Sequence, residues 1–295
     1  MVRERGIALI LVLWMIGLLA VIAGNFAFGM RSEAQIARNL LSLAQARALA
    51  DAGVQRAWYE LMRPSSDLQR WKADAVVHDL RVANAVIQVT IQDETGKIDI
   101  NTAAEPLLKG LFRSVGLNED QSVALVDAVV DWRDADRLRR LHGAEESEYK
   151  LAGKATVPTN APFETTDELR RVLGVSPELF RALASAITVH SGQTGVNTVF
   201  APREVLLAFP GSTVAMVDQY LTLRADATRL GLPLPAFSAG SGFATGSSGT
   251  LTYKVRSVAT MTDGTVFVRE AIARISQGSS PSVVPLAWAE GENNP

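Results

Sequence analysis

The first 62 residues carry one apolar pattern that changes character half-way. From Gly6 to Met30 there are 25 residues without Asp, Glu, Lys, Arg or His. At 1.5 Å per residue that is roughly 37 Å of helix, enough to cross a hydrocarbon core of about 30 Å with some tilt. Beyond Met30 the helical period continues. Ala37, Leu41, Ala44, Ala48 and Ala52 follow at three- and four-residue spacing, and Arg31, Arg38, Gln45 and Arg56 fall largely on other faces. No proline occurs before Pro64. The pattern predicts one helix from Ile7 to about Met62, roughly 84 Å long, apolar all round at first and amphipathic later. The alternative is a break near Gly29 into two helices.

Around residues 75–100 the period drops to two. VVHDLRV and AVIQVTIQ read as strands rich in β-branched side chains, with ETGKIDI continuing after a turn at Thr95–Gly96. Much later, TLTYKVRSVATM and TVFVREAIARI flank Asp263–Gly264, a tight-hairpin signal. The sheet is thus split, with residues 101–250 inserted between its halves. That insert reads as helical: EPLLKGLFRSV, EDQSVALVDAVVDWRD, TTDELRRVL, SPELFRALASAI, APREVLLAF and TVAMVDQYLTLRADATRL. Asp99–Ala103 recurs loosely as Gly195–Val199, each before a proline and a Leu-Leu helix. SAGSGFATGSSGT, over 238–250, reads as a mobile Gly/Ser linker, and QGSSPSVVPLAWAEGENNP as an irregular tail with an apolar centre.

Charge orients the first helix. Arg3 and Arg5 precede it against a single Glu4, and Arg31 and Glu33 balance after it. This bias puts the N-terminus in the cytoplasm and the rest across the membrane. A cleaved secretory signal fits poorly, because apolar sequence runs on past Ala20–Gly24. The net charge of −2 gives no global attraction to nucleic acid. The absence of cysteine excludes disulfides, thiolate metal sites and a Cys nucleophile. No nucleophile elbow, zinc-protease motif or phosphate loop appears, and His78, His142 and His190 are scattered. A non-enzymatic chain is the expectation.

Two constellations remain. Asp127, Asp131 and Asp134 share a helical face, followed by Asp136, Glu145, Glu146 and Glu148. Such oxygen-rich clusters suit a hard divalent cation. Equally, they describe a solvated helix end neutralised by Arg133, Arg137, Arg139 and Arg140. The turns Val115–Asp120 and Gly174–Glu178 are similar to helix-hairpin-helix units, which would suit a membrane-anchored DNA-binding protein. Their carboxylates repel phosphate, so no nucleic-acid partner is expected.

Arg-Glu-Arg-Gly followed by Ile7-Ala8-Leu9-Ile10 resembles a type IV prepilin-type leader. In more detail, the chain resembles the K-type minor pseudopilins of type II secretion (general secretion pathway protein K). The resemblance rests on RGIALILVLWMIGLLAVIA, DETGKIDINTA, VVDWRDAD, GAEESEY, NAPFETTDELRRVLGV, VNTVFAPREVLLAFPG and PLAWAEGE. It implies an α+β fold: a pilin-like long N-terminal helix on a small antiparallel sheet, with a large all-α domain inserted between the strands. The divisions are a leader over 1–6, a transmembrane half-helix over 7–30, a pilin-like domain over 31–100 and 251–295, and the insert over 101–250.

The resemblance further implies cleavage between Gly6 and Ile7 by a prepilin peptidase and N-methylation of Ile7. Leu11 occupies the position where most pilin-like subunits carry glutamate. An unpaired carboxylate is costly in an apolar bundle, so leucine suits a subunit with nothing above it. The implied role is to cap and nucleate the pseudopilus tip with I- and J-type minor pseudopilins, for protein export across the outer membrane. Secreted cargo, and membrane lipid before assembly, are the other partners. The implied location is the bacterial inner membrane, single-pass, with a periplasmic C-terminal domain. A minor pilin of a type IV pilus would share the leader; the insert and the missing glutamate favour type II secretion. The family also implies calcium, with Asp131, Asp134, Asp136 and Glu145 on its acidic stretch, while Asn101, Thr102, Asn160 and Asn197 suit turns and caps.

Overall fold

The computed structural model describes residues 5–64, 66–67, 69–245, 250–276 and 282–292. A single helix α1 runs unbroken over Arg5–Met62, 58 residues and about 87 Å. There is no break at Gly29. Its face toward the protein is Ser42, Ala46, Ala50, Gly53, Val54, Ala57 and Leu61, all buried. This stripe lies opposite the one expected from sequence: Ala37, Leu41, Ala44, Ala48 and Ala52 are exposed. Every residue from Leu9 to Leu41 is exposed, so the first half of α1 projects free of the rest of the chain.

Among the described residues, α1 lies on a five-stranded antiparallel sheet. Its strands are β1 (His78–Val82), β2 (Ala85–Asp93), β5 (Thr250–Met261), β6 (Val266–Ser276) and β7 (Ser282–Glu290), in the order β1-β2-β5-β6-β7. Alternation along β2 turns Ile87, Val89 and Ile91 toward α1 and leaves Val86 and Gln88 exposed. The apolar tail expected to be irregular is the edge strand β7. Trp288 on it meets Trp58 of α1 edge-on and covers the guanidinium of Arg269, whose Nε donates to Asp51 at 2.6 Å. That pair, of buried Arg269 and half-buried Asp51, ties the helix to β6.

The inserted domain has its own core, separate from the one beneath α1. Its helices are α2 (Glu105–Ser114), α3 (Glu119–Arg133), α4 (Glu146–Leu151), α5 (Pro177–Leu183), α6 (Arg203–Leu207) and α7 (Val214–Leu230). Trp132 stacks on Phe163 at the centre, with Tyr149 tilted against it. TTDELRRVL forms only a 3-10 turn over Thr166–Arg171. ETGKIDI does not extend the main sheet. It makes a 3-10 turn and then β3 (Ile98–Asp99), which pairs in parallel with β4 (Ile187–Thr188) inside the insert. The sequence repeat is a repeated turn: Asp99 Oδ1 accepts from Asn101 N–H before α2, and Asn197 Oδ1 from Val199 N–H before α6.

The stretch expected to be a mobile linker is packed up to Thr245. Ala239 is buried, Phe243 packs on the insert's core, and Thr245 N–H donates to Val196 O at 2.9 Å. The rest of that stretch, 246–249, lies outside the described residues.

The two ends of the sheet do different things. At the Ala85 end, Ser42 of α1 donates to Asp263 and Thr265 in the β5–β6 hairpin. At the Asp93 end, the chain leaves the sheet for the insert. The free half of α1 therefore leaves one end, and the inserted domain stands on the other.

A methyl group at Gly53 would sit 2.9 Å from Ile87 Cγ2 and closer still to Ser257 Oγ. Overpacking there costs about 1–3 kcal/mol, against a gain of at most about 1 kcal/mol in helix propensity. Gly53→Ala is expected to lower the thermal midpoint of the full chain in detergent, read by circular dichroism. An unchanged or raised midpoint contradicts the close seating.

Candidate functional site

The cleavage expected at Gly6–Ile7 falls inside the first turns of α1, and Leu11 one turn further on is exposed. Residues 1–4 of the expected leader lie outside the described residues. On the C-terminal side of that bond the helix is continuous, and from Leu9 onward its apolar residues are exposed. Leu9–Met62 meets the length and composition of a membrane span, with a mean hydropathy of 2.4 in its most apolar window.

The acidic cluster forms where α3 ends and α4 begins. Asp131 is in the last turn of α3, Asp134 is its C-cap, Asp136 is in the following loop, and Glu145 caps α4. The loop between them folds back over α3. Arg140 N–H donates to both oxygens of Asp131, and His142 N–H to Asp127 Oδ2 at 3.1 Å. The Arg140 side chain bridges Asp127 (3.1 Å) and Glu105 (2.8 Å). Asp127 is thus neutralised within the fold. Asp136 Oδ1 accepts from Leu138 N–H, and Asn160 Nδ2 donates to Asp136 O. Asn101 likewise clasps Phe163 through both its amide groups, and Thr102 Oγ1 donates to Gln193 O. The four polar residues expected to pin turns do so.

The remaining carboxylates are short of positive charge. Burial pushes the Asp131 carboxyl up, and the charges of Asp134 and Asp127 add to this. Asp134 is raised by burial and by Asp136. Glu145 is raised by burial and then by Asp131, Asp134, Asp136 and Glu148. Two buried oxygens, Asp134 Oδ1 and Glu145 Oε1, have no hydrogen-bond partner. By chemistry this donor set fits a hard divalent cation. By position it is not preformed: among the described residues, no three His, Asp or Glu side chains converge closely enough to hold a metal ion. Sequence reasoning misses Arg140 as the bridge of this network and misses Glu105 altogether. Their only sequence signal is the basic run beside the cluster and an acidic residue in the first turn of α2.

The two turns similar to helix-hairpin-helix units come together as well. Gly116 and Gly174, both with positive φ, line one open groove of about 680 Å³ between α3 and α5. Its walls are apolar, with Leu117, Leu125, Ala128 and Leu179, and Glu178 stands at its rim. Glu119 is held low by hydrogen bonding to Lys109, and Glu178 by backbone N–H groups and Ser176. Both stay ionised at neutral pH, beside the turns where a phosphate would approach.

A family model for type II secretion system protein K matches residues 80–192, which span the β1–β2 hairpin, the acidic cluster and the α5 turn. Over that region the chain resembles type II secretion protein K. It is 28% identical to type II secretion system protein K of Klebsiella pneumoniae, over 76% of each chain. To the protein K of Aeromonas hydrophila it is 26% identical, over 70% of each. In fold it matches a chain of the crystal structure of the GspK-GspI-GspJ complex from enterotoxigenic Escherichia coli, with a TM-score of 0.61 and 18% identity. That match covers 87% of this chain and 99% of the other. The long helix, antiparallel sheet and helical insert described above are thus a fold shared with that chain.

The raised carboxyls give stability a definite pH dependence. Native Asp131, Asp134 and Glu145 hold protons more tightly than in the unfolded chain. Their stabilising contribution is full below the ordinary carboxylate range, about 4, and is lost as pH rises through the raised native values. In chelator, Asp131→Asn is therefore expected to gain thermal stability relative to wild type between about pH 4 and 7. A difference that stays flat with pH contradicts the electrostatic account.

Proposed function

We propose that this protein K homologue is the tip subunit of a type II secretion pseudopilus, capping it and helping to nucleate it with I- and J-type minor pseudopilins. The work is mechanical and not enzymatic, and it serves protein export across the outer membrane. The observation that carries this reading is the opposition of the two ends. The free half of α1 leaves the sheet at Ser42, and the insert stands on the end where β2 stops at Asp93. A pilus grows by stacking such helices in parallel. A subunit with a bulky domain on its far end offers a lower surface for partners and no equivalent upper one.

Before assembly, α1 sits in inner-membrane lipid with its N-terminus in the cytoplasm, following Arg3 and Arg5. The prepilin peptidase cuts after Gly6, and Ile7 becomes the methylated N-terminus. Its apolar helix then moves from lipid into the bundle. Leu11 has no carboxylate to neutralise a neighbour's amine, as suits a subunit with nothing above it. The exposed stripe of Ala37, Leu41, Ala44 and Ala48 faces away from the sheet and suits the helices of I- and J-type partners. In the crystal structure of the GspK-GspI-GspJ complex, a chain of this fold is held with such partners. The insert at the far end is the part that would touch secreted cargo or the outer-membrane channel. Nucleic acid has no place here, since the turns carry ionised carboxylates.

Calcium is assigned to Asp131, Asp134, Asp136 and Glu145. The ion supplies the positive charge this cluster lacks, holding the α3–α4 loop on the end of α3. In the melts used for the acidic cluster, added calcium should then raise the wild-type midpoint and leave Asp131→Asn unmoved.

The leader is the direct test of class. In cells with a prepilin peptidase, the intact mass and N-terminal peptide of the membrane-extracted chain should begin at Ile7 and carry one methyl group. A chain still beginning at Met1 or Val2, beside a control prepilin that is cut, overturns the pseudopilin assembly pathway for this protein.

A further inference from the structure

The insert and the sheet meet through the segment Asp93–Lys97, which links β2 to β3. All five of its residues are buried, including Asp93, Glu94 and Lys97. A hinge is normally a few loop residues free to change φ and ψ, so a buried, charged connection is unusual. Asp93 Oδ1 accepts from Thr95 N–H at 2.8 Å and from Thr95 Oγ1 at 2.6 Å. Lys97 Nζ meets Glu94 Oε1 at 2.6 Å, with both side chains almost fully covered. On the sheet side, Asp93 pairs with Tyr253 of β5, which is itself buried. On the insert side, Asn197 N–H donates to Thr95 O at 2.8 Å. Gly96 lies so close to the turn before α6 that a Cβ would sit 2.6 Å from the backbone carbonyl of Phe200.

We infer that Asp93–Lys97 is a rigid joint locking the inserted domain to α1 and the sheet, so that the chain beyond the membrane moves as one body. The segment is gripped from both sides. Rotation of the insert would pull Thr95 from Asn197 and open the cover over Glu94 and Lys97, a pair whose burial is tolerable only while it stays closed. The glycine is required because the joint lies directly against the insert's backbone at Phe200 and Ala201. The consequence is mechanical: displacement of α1 along its axis reaches the far face of the insert in full, without being absorbed at a flexible neck. The inference is independent of where the subunit sits in a fibre.

The chain has no cysteine, so spin labels can be attached only where they are introduced. Gln55→Cys on α1 and Ser185→Cys after α5 give a pair across the joint; Gln55→Cys with Gln88→Cys gives a pair within one body, all three positions being exposed. Pulsed dipolar spectroscopy on the full chain in detergent should give a cross-joint distance distribution as narrow as the within-body one. Gly96→Ala and Lys97→Met should each lose that narrow peak across the joint and keep it within the body. A broad or multiply peaked wild-type distribution across the joint, beside a narrow reference, overturns the proposal. So does a Gly96→Ala distribution that stays as narrow as wild type. Should either variant fail to fold, the wild-type pair still decides.

Discussion

Small side chains on one stripe of α1 let its backbone lie directly on β2 and β5. Ala46, Ala50, Gly53 and Ala57 are spaced so that no large group separates helix from sheet, and Gly53 touches Ile87 and Ser257 with no room for a methyl group. The rest of the molecule depends on this seat. It fixes the helix direction relative to the strands, and with it the end of the sheet from which the free half of α1 leaves. It also turns the opposite stripe of Ala37, Leu41, Ala44 and Ala48 outward, where an isolated chain leaves it bare. The ion pair of Asp51 with buried Arg269, beneath Trp288, holds the rotation of the helix about its own axis, because turning α1 would leave the Arg269 charge buried without its partner.

From that seat the two domains divide the physical work. The sheet and α1 share one apolar core and the insert has another, built around Trp132, Tyr149 and Phe163. The first half of α1 is exposed and apolar, with the length and composition of a membrane span. The insert carries the chemistry the rest of the chain lacks, a patch of carboxylates left short of positive charge at the α3–α4 junction. Arg140 neutralises one side of that patch through Asp127 and Glu105, and the other side keeps two buried oxygens without partners. A local deficit of this kind is what a bound cation would relieve, and it costs stability whenever the cation is absent.

Much of this organisation is legible in the residues. The unbroken run to Pro64 announces one long helix, and the strand pairs around 75–93 and 250–276 announce a sheet interrupted by a helical insert. The differences have specific causes. Both faces of α1 are alanine-rich, so residue spacing does not say which one the sheet takes, and the close seat at Gly53 decides it. The strand β7 reads as irregular because Pro285 and a register shift at Ile272–Ala273 interrupt its pattern. TTDELRRVL has helix-start chemistry but only room for a 3-10 turn before Val172 returns to extended backbone. The acidic residues are identifiable as a group. Their division into neutralised Asp127 and uncompensated Asp131, Asp134 and Glu145 is not, because it depends on where a loop folds back across α3.

The central claim is that the chain occupies one end of a fibre and cannot be followed by another subunit. The most direct measurement is electron microscopy of sheared, purified pseudopili bearing a gold-labelled tag fused at the exposed end of α7, near Leu230. The account predicts one label per fibre, at a single end, whatever the fibre length. Labels spaced along the shaft, or in numbers that grow with length, would contradict it and make the insert a lateral decoration of an ordinary shaft subunit.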